Sequence, residues 1–324
     1  MMGWRKGVGF VLILMMFLSM LSVVSMPTAV RSEVAGATPI TVVQLWNVTH
    51  QCYMAKFLGD KYVVIFTVHG DISLDGKYIS SGAMEVTTNA YVYDIVSGKL
   101  VKSFTADTGG DTWDFETGVK VWDHNGFFSA DGKRMVEDVR TAGGTSAVVV
   151  DTTTWSSIPI DWGFTDTDGT HFYACQLDED GTYLAVGYIG VTYSNDTSKL
   201  LVYKYNASLG KYVKFFEHTE YGDYGRRLQM TLDGQYILVG GLFYPYLDVF
   251  KRVGNTYIRV VHYELPDPDG IRALGISDPY DVGYIAIGTQ NGWGIIAHYD
   301  PEKDEFRVVY KEKFAPDDSW IYNP

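Results

Sequence analysis

A short turn-and-strand unit recurs five times along this chain, and it limits the fold more than any other feature. The copies are Ser73–Gly82 (SLDGKYISSG), Ser129–Asp138 (SADGKRMVED), Asp178–Gly187 (DEDGTYLAVG), Thr231–Gly240 (TLDGQYILVG) and a worn Tyr280–Gly288 (YDVGYIAIG). In the first four, Asp bonds its own downstream backbone and Gly supplies the positive φ that a tight antiparallel connection needs. The ruler residues Tyr78, Arg134, Tyr183, Tyr236 and Tyr284 stand 56, 49, 53 and 48 positions apart. That period is too long for helical or leucine-rich repeats and suits a four-stranded propeller blade.

A second hairpin follows each copy: Tyr91–Phe104, Val148–Ile160, Leu200–Phe216, Tyr246–Val261 and Gly294–Tyr310. Each unit therefore reads as strand, turn, strand, loop, strand, polar turn, strand. Such sheets cannot bury both faces alone, so they must stack around an axis. The expected fold class is all-β, a β-propeller of four-stranded blades, six in number, with five or seven as alternatives. The sixth blade is expected to combine N-terminal strands within 40–68 with the C-terminal segment Ser319–Pro324, clasping the ends together. Composition agrees, since 24 tyrosines favour strands and few stretches carry a 3.6-residue period.

The repeat resembles the WD-repeat and YVTN-type propeller superfamily, whose units run from a Ser-x-Asp-Gly turn to a strand ending in Trp-Asp. Tyr93-Asp94, Val150-Asp151 and Tyr299-Asp300 stand at the Trp-Asp place, while the other two units depart from it and the Gly-His dipeptide is absent from its usual place. The likeness covers about residues 60 to 314 and implies an architecture. It implies no particular function, because one fold hosts many.

Residues 1–37 form a separate region, and 38–324 are expected to form one domain. Arg5 and Lys6 precede an apolar stretch, Val8–Val24, in the layout of a secretory signal, with Ala35-Gly36-Ala37 as a cleavage site. An uncleaved N-terminal membrane anchor is the alternative, and either route leads to a secreted or cell-surface location. Cys52 and Cys175 either pair there or stay buried as small hydrophobes. Asn47, Asn195 and Asn206 head glycosylation acceptor triplets, which is coherent with export.

A formal charge of −13, from 39 acidic and 26 basic residues, argues against nucleic acid as a partner. No nucleophile elbow or phosphate-cradling loop occurs, and neither cysteine has the neighbours of a nucleophile. No catalytic residue, metal ligand set or cofactor is assigned. The acidic stretch Thr105–Gly126, with Asp107, Asp111, Asp114, Glu116 and Asp123, is expected to be an insertion between blades.

Innermost-strand positions carry Asp71, His171, Arg226, Arg227 and Arg272. One Asp and three Arg suit recognition of an anionic group better than acid/base hydrolysis, since Arg stays charged and donates in a fixed fork. With the aromatics Trp113 and Trp122 they form the candidate ligand-binding set. The expected function is a non-enzymatic scaffold binding a protein or glycan at the cell surface. A secreted hydrolase, lactonase-like or glycosidase-like, with an axial carboxylate or metal site is the alternative.

Overall fold

The computed structural model describes residues 54–67, 69–82, 87–107, 110–123, 126–141, 144–162, 171–189, 197–222, 224–266 and 270–313. The expected leader, Cys52 and the C-terminal clasp segment lie outside the described residues. Among those described, regular structure is entirely β, and no helix is long and apolar enough to cross a membrane.

The first eight strands are β1 (Met54–Leu58), β2 (Tyr62–Phe66), β3 (His69–Ile72), β4 (Tyr78–Gly82), β5 (Thr88–Asp94), β6 (Leu100–Ala106), β7 (Asp111–Asp114) and β8 (Lys120–Trp122). They build two interlaced sheets, ordered β1-β2-β5-β6 and β3-β4-β7-β8. This corrects the reading of the first unit. The Tyr91–Phe104 hairpin does not complete the Ser73 copy; it pairs with the N-terminal strands, Val64 opposite Val92. The stretch expected to be an acidic insertion supplies the outer hairpin of the Ser73 sheet instead, with Ile79 opposite Trp113.

The physical reason is that the two hairpins are locally equivalent. Asp94 accepts bonds from the Ser97 amide and hydroxyl, each at 2.8 Å, and Asp114 does the same for Thr117 at 2.8 Å. Local turn chemistry thus leaves the partner open, and packing between the sheets decides it. Val64, Phe66 and Val92 from one sheet bury against Ile79 and Trp113 of the other.

The remaining sheets follow chain order. β9 (Gly126–Phe128), β10 (Arg134–Thr141), β11 (Gly144–Asp151) and β12 (Ser156–Ile158) form one antiparallel sheet. β13 (Ile160–Asp161) runs parallel to β17 (Lys211–Tyr221) at the edge of a sheet that also holds β14 (His171–Leu177), β15 (Tyr183–Ile189) and β16 (Thr197–Asn206). β18 (Arg227–Met230), β19 (Tyr236–Gly240), β20 (Tyr246–Val253) and β21 (Thr256–Glu264) make the next. β22 (Ile271–Asp278), β23 (Asp281–Thr289), β24 (Trp293–Asp300) and β25 (Glu305–Lys313) make the last. Six sheets result among the described residues, five of four antiparallel strands and one of five strands with a parallel edge. Their first strands touch in succession, β1 to β3, β9, β14, β18 and β22, as stacked blades require.

The recurring turn has a role beyond reversing the chain. In three copies a hydroxyl, Ser73, Ser129 or Thr231, accepts the amide of the ruler residue and donates to the Asp two positions on. The turns also bond to one another: the Asp131 amide donates to the Glu179 carbonyl, Glu179 to Leu232, and Leu232 to Pro279. A one-way backbone ladder therefore runs across four sheets. Repetition of the sequence is what places each donor opposite the next acceptor.

Candidate ligand-binding site

At the end of the sheets opposite these turns, the chain leaves β17 and crosses to β18. A Cβ on Gly187 would lie 1.8 Å from the Gly225 carbonyl oxygen, and Gly225 itself has φ +88°. Only glycine permits that approach, which presses the crossing segment onto β15 and buries Tyr224 completely. The Ser198 hydroxyl holds the same segment by donating to the Gly222 carbonyl.

Five polar side chains converge beside it. Alternation along β17 places His218 and Glu220 on one face, and β20 contributes Asp248. Arg259 and His262 lie three apart on β21 and would ordinarily point to opposite faces. A bulge fixes this: Val249 pairs with Val261 but Phe250 pairs with Arg259, so both side chains reach the cluster.

Asp248 is fully buried and accepts from the Tyr244 hydroxyl at 2.9 Å and from Arg259 at 3.4 Å, with His262 Nδ1 at 2.7 Å. Glu220 takes Arg259 at 3.0 Å and lies 3.1 Å from His218 Nε2. His218, Glu220 and Asp248 bring ligand-type atoms within 4.8 Å of one another. The Arg259 guanidinium bridges both carboxylates and offsets one of their two negative charges, competing with any cation for the same oxygens. Burial first, then the charge of Asp248, holds the Tyr244 phenol protonated far above its usual range.

Over this network opens a cleft of about 710 Å³ lined by Glu220, Tyr221, Gly222, Phe243, Tyr244, Pro245 and Tyr246. Tyr221 and Phe243 stand out from its walls, 73% and 60% exposed. Tyr246 stacks on His262 with centroids 4.3 Å apart, and Tyr224 meets Tyr244 edge-on at 4.8 Å. The Tyr224 hydroxyl is buried with no hydrogen-bond partner among the described residues, and burial first, then the charge of Asp248, holds it protonated well above its usual range.

The residues singled out from sequence lie elsewhere. Asp71 binds Lys56 at 2.5 Å and takes the Phe128 amide at 2.8 Å, tying three successive sheets. Arg227 donates to the Arg272 carbonyl at 2.7 Å, and Arg272 reaches Gln290 at 3.0 Å, joining the last two. Arg226 is half-buried beside them. His171 opens β14, its backbone opposite Ile189. Trp113 is a buried strand residue on Phe104, ring centroids 5.2 Å apart. Trp122 donates to Glu137 at 2.8 Å and stacks on Trp155. Arg227 and Arg272 come together; Asp71 lies on β3, with two sheets between it and β18.

Sequence reasoning had passed over His218, Glu220, Asp248, Arg259 and His262. One signal was available: Asp248 interrupts the apolar run Leu247–Phe250, and a charge inside such a strand calls for buried partners.

No family model matches the chain, and no curated protein matches it in sequence. Solved structures match in fold. The β-propeller domain of Cps50 (Swd1) from Myceliophteria thermophila aligns with a TM-score of 0.51 at 12% identity, covering 77% of this chain and 86% of that one. The periplasmic gluconolactonase of Pseudomonas aeruginosa gives 0.50 at 16% identity, covering 86% and 77%. Sqt1 of Chaetomium thermophilum, bound to the N-terminus of a ribosomal protein, gives 0.51 at 13% identity, covering 78% and 76%. The fold is thus that of the β-propellers, as the repeat's resemblance implied.

Proposed function

We propose that this protein is an exported, six-bladed β-propeller that binds a cell-surface ligand and does not turn it over. The observation that carries the reading is the aromatic cleft above a network whose carboxylates are already engaged. Glu220 and Asp248 each accept from Arg259, which leaves neither as an unengaged general base. Tyr221 and Phe243 instead offer rigid aromatic surface to a partner, the kind that dominates binding energies. The six stacked sheets support six blades, and Arg5-Lys6 with the Val8–Val24 stretch supports export. Binding of a protein segment by Sqt1 is a precedent for a propeller used this way.

The test is co-sedimentation of the purified protein with cell envelopes of its native host. The parent is expected to pellet, and the Tyr221→Ala/Phe243→Ala double variant to stay in the supernatant. Equal pelleting would remove the cleft from the reading.

A hydrolase is the second reading, because two histidines and two carboxylates do converge at one place. It requires turnover in lactone, glycoside or ester panels that His218→Ala abolishes, whereas the binding reading expects none.

A further inference from the structure

We infer that the cleft between β17 and β20 receives a neutral saccharide unit, an inference that rests on the cleft being the binding surface proposed above.

Charge balance gives the first argument. Glu220 and Asp248 on one side, Arg259, His218 and His262 on the other, alternate as acceptors and donors within a few ångströms. Of this set only Glu220 lines the cleft, with Asp248 fully buried behind it, so an anionic ligand would meet the Glu220 carboxylate and a cationic one would compete with Arg259 for it. A hydroxyl both donates and accepts, so a polyol is matched to an alternating set where an ion is not.

The walls give the second. Tyr221 and Phe243 hold large aromatic faces at the solvent, beside Tyr244 and Tyr246. A pyranose presents one face of C–H groups that covers such a ring, while its equatorial hydroxyls point outward to polar partners. At about 710 Å³ the space falls within the roughly 300–1,000 Å³ of small-molecule sites.

The third is preorganisation. Pro245 and the Gly187–Gly225 backbone contact fix the two segments that form the walls. Beneath them Tyr224 is fully buried and packs edge-on against Tyr244, which lines the cleft, so the floor is as closely packed as the walls. Rigid walls lower the ordering cost of binding a small, weakly held ligand.

The experiment is isothermal titration of the full-length protein with cellohexaose, mannohexaose and chitohexaose, alongside a heparin-derived hexasaccharide and tetramethylammonium. At least one neutral sugar is expected to bind, with Tyr221→Ala and Phe243→Ala each weakening it about tenfold or more. Glu220→Gln should weaken it while thermal unfolding of the two aromatic variants stays at the parent value. Stronger binding of the anionic or ammonium probe, displaced by the same variants, would overturn the inference. So would silence from all three sugars. If envelope pelleting still depends on Tyr221 and Phe243 in that case, the cleft survives as the binding surface and only the ligand class falls. If pelleting ignores those residues, the cleft reading fails first.

Discussion

One turn differs from its repeats in a way that sets a pH-dependent stability. Where the other copies carry Ser73, Ser129 or Thr231, the third carries Asp178, whose carboxylate accepts the Tyr183 amide at 2.8 Å. A hydroxyl would also donate to the Asp two positions on; a carboxylate faces Asp180 with a second negative charge. Asp178 is 4% exposed, and burial first, then Asp180, pushes its carboxyl up to about 7, with the Tyr183 amide and then Arg252 and Arg134 opposing only in part.

The sign follows from proton linkage. The folded state holds the Asp178 proton to about pH 7, while the unfolded chain releases it near 3.8. Folding therefore carries no ionisation penalty at low pH, and the folded state loses stability as pH rises from about 4 to about 7. The gap of roughly 3 in pKa, at about 1.4 kcal/mol each, amounts to ~4 kcal/mol at pH 8. Asp178→Thr, copying Thr231, restores a donor and removes the charge.

The variant is expected to be more stable than the parent by about 2–4 kcal/mol at pH 8, and by less than about 1 kcal/mol at pH 4. For a domain of this size that is a Tm rise on the order of 5–15 °C at the higher pH. Calorimetry of both proteins at pH 4, 6 and 8 reads the difference directly. An equal gain at every pH, or a loss at pH 8, would refute the reasoning.

Asp248→Ala should cost about 1–3 kcal/mol, because the fully buried carboxylate gives up its bonds to Tyr244, Arg259 and His262 while the last two keep access to solvent; chemical denaturation will measure it. Tyr212→Phe removes the hydroxyl that bonds the Gly181 carbonyl and meets Arg134, with an expected loss of about 1–2 kcal/mol in the same assay. Cysteines at Val64 and Val92, cross-strand partners in the interlaced sheet, should form a disulfide readily, which mass spectrometry detects. If the Ser73 copy instead paired with the hairpin that follows it, those two positions would lie apart and stay reduced.

The turns, the second hairpins and the all-β class could be read from the chain because each depends on local chemistry. Asp-Gly pairs and alternating strands announce themselves within ten residues. The interlacing of β5 with β2 could not be read, since Asp94–Gly98 and Asp114–Gly118 build the same turn and only packing chooses between them. The cleft was hidden for a related reason. It joins Glu220–Gly222 to Phe243–Tyr246, 21 to 26 positions apart, over a network that depends on a bulge turning Arg259 and His262 to one face. Arg227 and Asp71 stand out as unusual polar positions, yet each reaches a backbone group of a neighbouring sheet, the Arg272 carbonyl and the Phe128 amide, which no side-chain pattern reveals.

The ladder of turns has a direction, and direction has an evolutionary consequence. Each rung passes a backbone N–H to the carbonyl of the next turn, and the last acceptor is Pro279. Proline receives a bond but has no N–H to hand on. A duplicated unit inserted between Ser129 and Thr231 would find a donor behind it and an acceptor ahead, and could extend the series. A copy appended after Pro279 would find nothing to receive. A copy inserted upstream of that proline would keep every rung, whereas one placed after it would have to stack without a rung behind it, as, among the described residues, the Ser129 sheet already does on the Ser73 sheet.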